Sequence, residues 1–255
     1  MLSVPVRAPY PWRSILDYLA LRCTPGVETI SADRYIRKTS SGTVSIEYDS
    51  SAQSLRCLAD GAGDALPRIQ RLFDTLHDPN PVTRALRRCP VLGARVRKLP
   101  GVRVPGCWEP FELCLRVILG QQVSVKAAHT LMGRLVARCP GLGPAQLAET
   151  DFGTLGLPAA RLRTLRIFAE RVAGGDIRLD GAWDQTAHGL GEVPGIGPWT
   201  LQYLAIRLGR DADAFPDTDL GLLRASGAET PRHLRTLAET WRPYRGYAAM
   251  YLWMR

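Results

Sequence analysis

The hydrophobic pattern of this chain changes period twice in its first third and then settles. Ile15, Leu16, Leu19 and Ala20 recur at helical spacing, so residues 11–22 are expected to form an amphipathic helix. The period then shortens. Arg34–Thr39 and Thr43–Tyr48 flank Ser40-Ser41-Gly42, a hairpin signal, and residues 53–59 are a further candidate strand. Leu66–His77 return to a helical period. Together these predict a small α+β unit, an antiparallel sheet with its helices set to one side.

Past Asp78-Pro79-Asn80-Pro81 the strand signals nearly vanish. An apolar-periodic helix is expected over Glu112–Leu119, just beyond Pro110, and it breaks at Gly120-Gln121-Gln122. Ser124 then caps a helix over Val125–Arg138. Leu157-Pro158 opens another helix, running through Arg171 and stopped by Gly174-Gly175. A short helix near residues 185–190 leads into Val193-Pro194-Gly195-Ile196-Gly197-Pro198-Trp199-Thr200. Pro198 suits the first position of a helix reaching about Leu208. Further helices are expected over Asp219–Ala225, Pro231–Trp241 and Ala248–Met254. No internal repeat or low-complexity tract is present.

Charge adds a partner class. A formal net charge of +9 and a pI near 9.6 favour an anionic partner, most simply nucleic acid. No stretch approaches the roughly 18 apolar residues a membrane span needs. The first residues lack the apolar core of a signal peptide, so a cytoplasmic protein is expected. Cys23, Cys57, Cys89, Cys107, Cys114 and Cys139 are scattered, with no C-x-x-C and no zinc-like spacing to histidine. Free thiols are expected, not a metal or iron–sulfur site.

The Pro-Gly-Ile-Gly turn between two helices fits a helix–hairpin–helix, which grips a DNA phosphate through backbone amides independently of base sequence. A plain tight turn has the same composition, and a nearby carboxylate favours the first reading. That carboxylate comes from Phe215-Pro216-Asp217-Thr218-Asp219-Leu220, one helix length further on. One aspartate is expected to cap the helix beginning near Asp219 while the other faces a cleft; spacing alone does not decide which. A negative charge there would stabilise the cationic sugar of a breaking N-glycosidic bond. Trp199 and Tyr203 share a helix face, with Trp253 on the last helix and Tyr18 on the first. Such aromatics serve core packing, or line a pocket that stacks a base turned out of the duplex and draws cationic bases.

These residues resemble the helix–hairpin–helix DNA glycosylases, and within them the 3-methyladenine DNA glycosylase II type. The matching stretches are Ala8–Trp12, Gly26–Thr29, Leu99–Gly101, Pro105–Cys107, Ile118–Val125, Val193–Thr200 and Trp241–Pro243, in order along nearly the whole chain. The resemblance implies Asp219 as catalytic carboxylate and Trp199, Tyr203, Trp253 and Tyr18 as pocket aromatics. It implies Gly195, Ile196 and Gly197 as phosphate-binding amides, with Thr200 beside them, and Gln121 and Gln122 as residues that prop the duplex open. Bifunctional relatives carry a lysine just after the hairpin, where this chain has Trp199. The implied enzyme is therefore monofunctional, excising alkylated bases such as 3-methyladenine and 7-methylguanine from double-stranded DNA and leaving an abasic site. The relatives place leucine where Gln122 stands, and glutamine can fill the same gap. No cofactor is required, although relatives often hold a monovalent cation at the hairpin. An oxidised-base glycosylase and a non-catalytic DNA-binding module are the alternatives.

The expected architecture is mostly α with an N-terminal antiparallel sheet domain. Residues 1–84 form the α+β domain, resembling the TATA-binding-protein half-fold; residues 109–211 form the helical domain with the hairpin. Segments 85–108 and 212–255 form a second helical layer that completes the cleft. A monomer is expected.

Overall fold

The structure, a computed structural model, describes residues 2–59, 65–153 and 155–254. Among them, period-two segments build one antiparallel sheet. Its strands are β1 (Leu2–Pro5), β2 (Glu28–Ser31), β3 (Arg34–Thr39), β4 (Gly42–Asp49) and β5 (Ser54–Ala59), in the order β1-β5-β4-β3-β2. The register sets Tyr35 opposite Ile46 and Ile46 opposite Cys57. Val4, Tyr35, Val44, Ile46, Leu55 and Cys57 thus share the inner face. Helix α1 (Trp12–Ala20) covers that face with Ile15, Leu16 and Leu19, and α2 (Ala65–Phe73) with Ile69, Leu72 and Phe73. Each such side chain contributes about 1.5–3 kcal/mol over leaving it in water.

The two edge strands were not foreseen. β2 has Ile30 as its one large apolar residue, and β1 ends in Pro5, which only an edge tolerates without losing a ladder bond. The expected helix to His77 stops at Phe73, because Asp74 takes a left-handed φ of 48°.

The helical part comprises α3 (Pro79–Leu86), α4 (Gly93–Lys98), α5 (Pro110–Gly120), α6 (Val125–Arg138), α7 (Pro144–Glu149), α8 (Ala159–Ala173), α9 (Trp183–Gly191), α10 (Pro198–Arg207), α11 (Leu220–Ser226), α12 (Pro231–Glu239) and α13 (Arg245–Trp253). Ser124 caps α6 as expected, its Oγ accepting from the Ala127 N–H at 3.2 Å. Asp78-Pro79-Asn80-Pro81, expected as a break in character, is itself a helix start. Asp78 caps α3 by accepting from the Asn80 N–H at 3.0 Å, and Pro79 takes the first turn. Val82 and Leu86 of α3 pack with the last helices and not with the sheet, unlike the assignment of residues up to 84 to the α+β unit.

Two apolar clusters fill the helical part. One joins α5–α10 through residues such as Leu115, Met132, Leu147, Phe168 and Leu190. The other joins α3, α4 and α11–α13 through Val96, Leu222, Leu234, Trp241 and Tyr251. Helix α10 belongs to both, giving Leu204 to the first and Ala205 and Ile206 to the second. A buried polar seam ties the sheet to α5. Arg37 pairs with Glu28 at 3.0 Å and reaches Glu112, which accepts from Thr24 Oγ1 at 2.8 Å. Every cysteine is a free thiol, and no helix among the described residues is long and apolar enough to cross a membrane.

Candidate active site

Helix α10 begins at the Pro-Gly-Ile-Gly turn. Gly195 adopts φ 92°, and a Cβ there would come within 2.6 Å of Thr164 Oγ1 on α8, so both backbone and space require glycine. Gly197 differs from expectation: its φ of −103° is open to any residue, and a Cβ would meet nothing within 4 Å. What its missing side chain leaves is bare backbone. Ile196 also departs from its expected role. Its side chain is buried in the first apolar cluster and its N–H donates to Val193 O at 3.0 Å, so this amide closes the turn. Among the described residues, the N–H groups of Gly195, Gly197, Trp199 and Thr200 have no protein acceptor. Four unpartnered amides at the start of one helix are the kind of donor that an anion site uses.

The hairpin carbonyls are occupied instead. Pro194 O accepts from Thr164 Oγ1 at 2.6 Å, Gly195 O from Gln121 Nε2 at 2.8 Å, and Val193 O from the Ile196 N–H. No cluster of charged or imidazole ligands accompanies them among the described residues. Each of these carbonyls keeps a second lone pair, so these bonds leave the hairpin open to a monovalent cation held by backbone oxygen.

Gln121 was expected to prop the duplex open. Its amide is turned inward, to Gly195 O and at 3.3 Å to the hydroxyl of Thr200, which is itself buried. Gln121 is thus a brace between the α5–α6 loop and the hairpin, and Thr200 offers only its backbone outward. Gln122, next along, stands exposed at the crest of that loop with φ 59°, beside the exposed Val123. An extended polar side chain in a left-handed conformation at a loop tip is where a group that inserts into another molecule would stand.

Trp199 and Tyr203, one turn apart on α10, stack with centroids 5.3 Å apart and planes at 18°. Trp253 of α13 leans on Tyr203 at 5.4 Å. Asp219 lies where these elements meet. Its Oδ2 accepts from Trp199 Nε1 at 3.0 Å, and its Oδ1 from Trp253 Nε1 at 3.1 Å and the Leu222 N–H at 2.8 Å. The expected division of labour between two aspartates is therefore corrected: Asp219 both caps α11 and faces the aromatic cluster. Asp217 instead pairs with Arg235 at 2.6 Å. Asp219 is half-buried and, among the described residues, makes no ion pair. Its three donors are neutral, so they orient the carboxylate without cancelling its charge.

Sequence reasoning missed two residues here. A Cβ on Gly221 would approach Asp219 Oδ1 to 2.9 Å and Trp253 Cδ1 to 3.6 Å, so this glycine keeps the carboxylate uncrowded. Arg207 is the other, and Tyr18 belongs with it: Tyr18 is buried, and its hydroxyl accepts from Arg207 at 3.2 Å. Tyr18 makes no ring contact with Trp199 or Trp253 among the described pairs, so it stands behind the aromatic cluster. The Trp199, Tyr203, Arg207 series at steps of four was the signal available.

A five-stranded sheet domain, two helical layers and a glycine hairpin feeding the helix that carries Trp199 and Tyr203 define a helix–hairpin–helix glycosylase architecture. A profile of the AlkA N-terminal domain matches residues 1–109. DNA-3-methyladenine glycosylase 2 of Escherichia coli is 33% identical, over 99% of this chain and 96% of its own length. A probable bifunctional transcriptional activator/DNA repair enzyme AlkA of Mycobacterium tuberculosis is 37% identical over 99% of this chain; the chain spans 56% of that protein. A solved 3-methyladenine DNA-glycosylase from Archaeoglobus fulgidus superposes with a TM-score of 0.81 at 16% identity, covering 99% of this chain and 97% of that one, which speaks to the fold. The chain belongs to the AlkA family of DNA-3-methyladenine glycosylases.

Proposed function

We propose that this chain is a monofunctional DNA glycosylase that releases alkylated bases from duplex DNA by hydrolysis. The observation that carries the reading is Asp219: a carboxylate with no cationic partner among the described residues, aimed by two indoles of the aromatic cluster.

A base held in the duplex is out of reach, so the nucleotide turns out and its base enters the cluster of Trp199, Tyr203 and Trp253. Electron-rich ring faces favour a base made positive by alkylation. That same charge makes the base a good leaving group. As the glycosidic bond lengthens, positive charge grows on the sugar, and the Asp219 carboxylate opposes it. At about 4 Å and an effective dielectric near 20 this attraction is worth about 4 kcal/mol. That corresponds to roughly a thousandfold in rate. Water then adds to the C1′ carbon and loses one proton to the solvent, leaving the C1′ hydroxyl of an abasic site. The hairpin amides hold one backbone phosphate, and Gln122 fills the gap in the stack.

An amine at the site would open a Schiff-base route to strand cleavage. Trp199 occupies the position after the hairpin, and Lys38, Lys98 and Lys126 lie elsewhere in the sequence. Incubation with methylated duplex DNA tests the reading. Free methylpurine should appear together with alkali-labile abasic sites and no direct strand scission. Binding without base release would leave only a DNA-binding module, and scission without alkali would remove the monofunctional assignment.

A further inference from the structure

Arg207 closes the last turn of α10 at 2% exposure, and no carboxylate is among its partners. Its Nε donates to Pro105 O at 2.5 Å and its Nη2 to Gly106 O at 2.8 Å. Its Nη1 donates to the phenol oxygen of Tyr203 at 2.8 Å and to that of Tyr18 at 3.2 Å. A buried cation without a counter-ion is costly, and here only neutral oxygens offset the loss of water. Those oxygens come from three places: α10 itself, α1 under the sheet, and the segment leading into α5. A planar fork of five N–H groups can serve all of them at once; an ammonium cannot.

We propose that Arg207 is a positioning residue for the base pocket, fixing the Tyr203 ring against Trp199 and Trp253 by its phenol oxygen while anchoring α1 through Tyr18. This rests on the reading that the flipped base enters that aromatic cluster. Trp199 stacks on Tyr203, and Trp199 also donates to Asp219, so a shift of the phenol would pass to the carboxylate through two contacts. Arginine only donates, so each phenol turns its oxygen to the guanidinium and its hydrogen away.

The contact has an optical signature separate from catalysis. Burial opposes ionisation of the Tyr203 phenol, but the charges of Arg207 and of Arg22, which lies over the Tyr18 ring, together with hydrogen bonds from Tyr18 and Arg207, outweigh it and lower its pKa. Burial dominates at Tyr18 and pushes it up to about 12. Two further groups face Arg207. Burial holds the Cys107 thiol up at about 11, and Arg116 of α5 is a second buried cation.

The test uses the full chain and its Tyr203→Phe, Arg207→Gln, Arg207→Lys and doubly substituted forms. Ultraviolet absorbance of tyrosinate should show one phenol of the Tyr18–Tyr203 pair in the parent ionising below the ordinary tyrosine range. That step should be displaced upward in Arg207→Gln, and Tyr203→Phe should leave one phenol titrating beside Arg207 where the parent has two. Single-turnover base release should fall about tenfold in each single variant and no further in the double, as for two residues acting as one unit. Arg207→Lys should restore part of the loss. If Arg207→Gln does not fold, Tyr203→Phe, which removes a single oxygen, carries both readouts. An unchanged titration in Arg207→Gln, or losses that multiply in the double variant, overturns the role of Arg207 while the functional reading stands. A parent that releases no base overturns the functional reading, and the pocket role with it.

Discussion

The two ends of α10 solve opposite problems. At its start, the hairpin presents bare, uncharged amides outward, and side chains serve only to hold the backbone in shape: Thr164 and Gln121 occupy the carbonyls of Pro194 and Gly195. At its end, Arg207 brings a full charge inward and spends every donor group it shows on protein oxygens. Between them, Trp199 and Tyr203 line the face that meets Asp219. Under the proposed function, grip on a phosphate comes from backbone geometry, whereas the aromatic cluster is shaped by side chains tied to three segments. Substitutions at the first end should therefore change affinity for DNA, and those further along should change the rate of base release.

The sharpest cut between the two is Asp219→Asn. Asparagine retains the cap on α11 but loses the charge and turns an N–H group toward one indole. Base release should drop about a thousandfold while the dissociation constant for undamaged duplex changes by less than about twofold. Single-turnover kinetics and a binding titration read the two effects separately. Comparable losses in both would merge the two ends of the comparison into one.

Gly195→Ala should act at the other end and nearly as strongly. It strains a backbone at φ 92° and drives a methyl into Thr164 Oγ1. A loss of about 2–3 kcal/mol in urea unfolding is expected, with weakened DNA binding. Gly197→Ala, with no such strain or clash, should cost under about 1 kcal/mol in the same measurement. Equal losses at the two glycines would show that the turn does not discriminate between them.

Gly221→Ala should slow base release about tenfold without weakening DNA binding, by crowding Asp219 Oδ1 toward the indoles. Its single-turnover rate against that of the parent is the check. The smallest effect is expected from Gln121→Ala. It removes two neutral hydrogen bonds between the α5–α6 loop and the hairpin, each worth about 0.5–1.5 kcal/mol. A several-fold rise in the dissociation constant, with the rate of release from bound DNA unchanged, would place Gln121 with the grip and not with the chemistry.

Local signals explain which parts of this were legible in the sequence. Ser124, Pro198 and the Gly174-Gly175 stop act within one turn of themselves, and the helices they bound lie where expected. Edge strands β1 and β2, and the short helices α3, α4 and α7, carry too few apolar positions to show a period, and packing against neighbours decides them. Asp217 and Asp219 sit two residues apart in one short segment, and nothing in that segment separates an ion pair with Arg235 from a carboxylate between two indoles.

The amino-acid order determined the inner strands and the longer helices, the glycine hairpin, the set of aromatics and the resemblance they carry, because propensity, caps and turn residues act between near neighbours along the chain. Only the tertiary structure decided that Gln121 braces instead of wedging, that the Ile196 amide closes the turn, and that Arg207 joins α1, α10 and the segment before α5. The first and last of those outcomes depend on which donor finds which acceptor across long sequence separations, as with Arg207 and Pro105, and that pairing is fixed by packing.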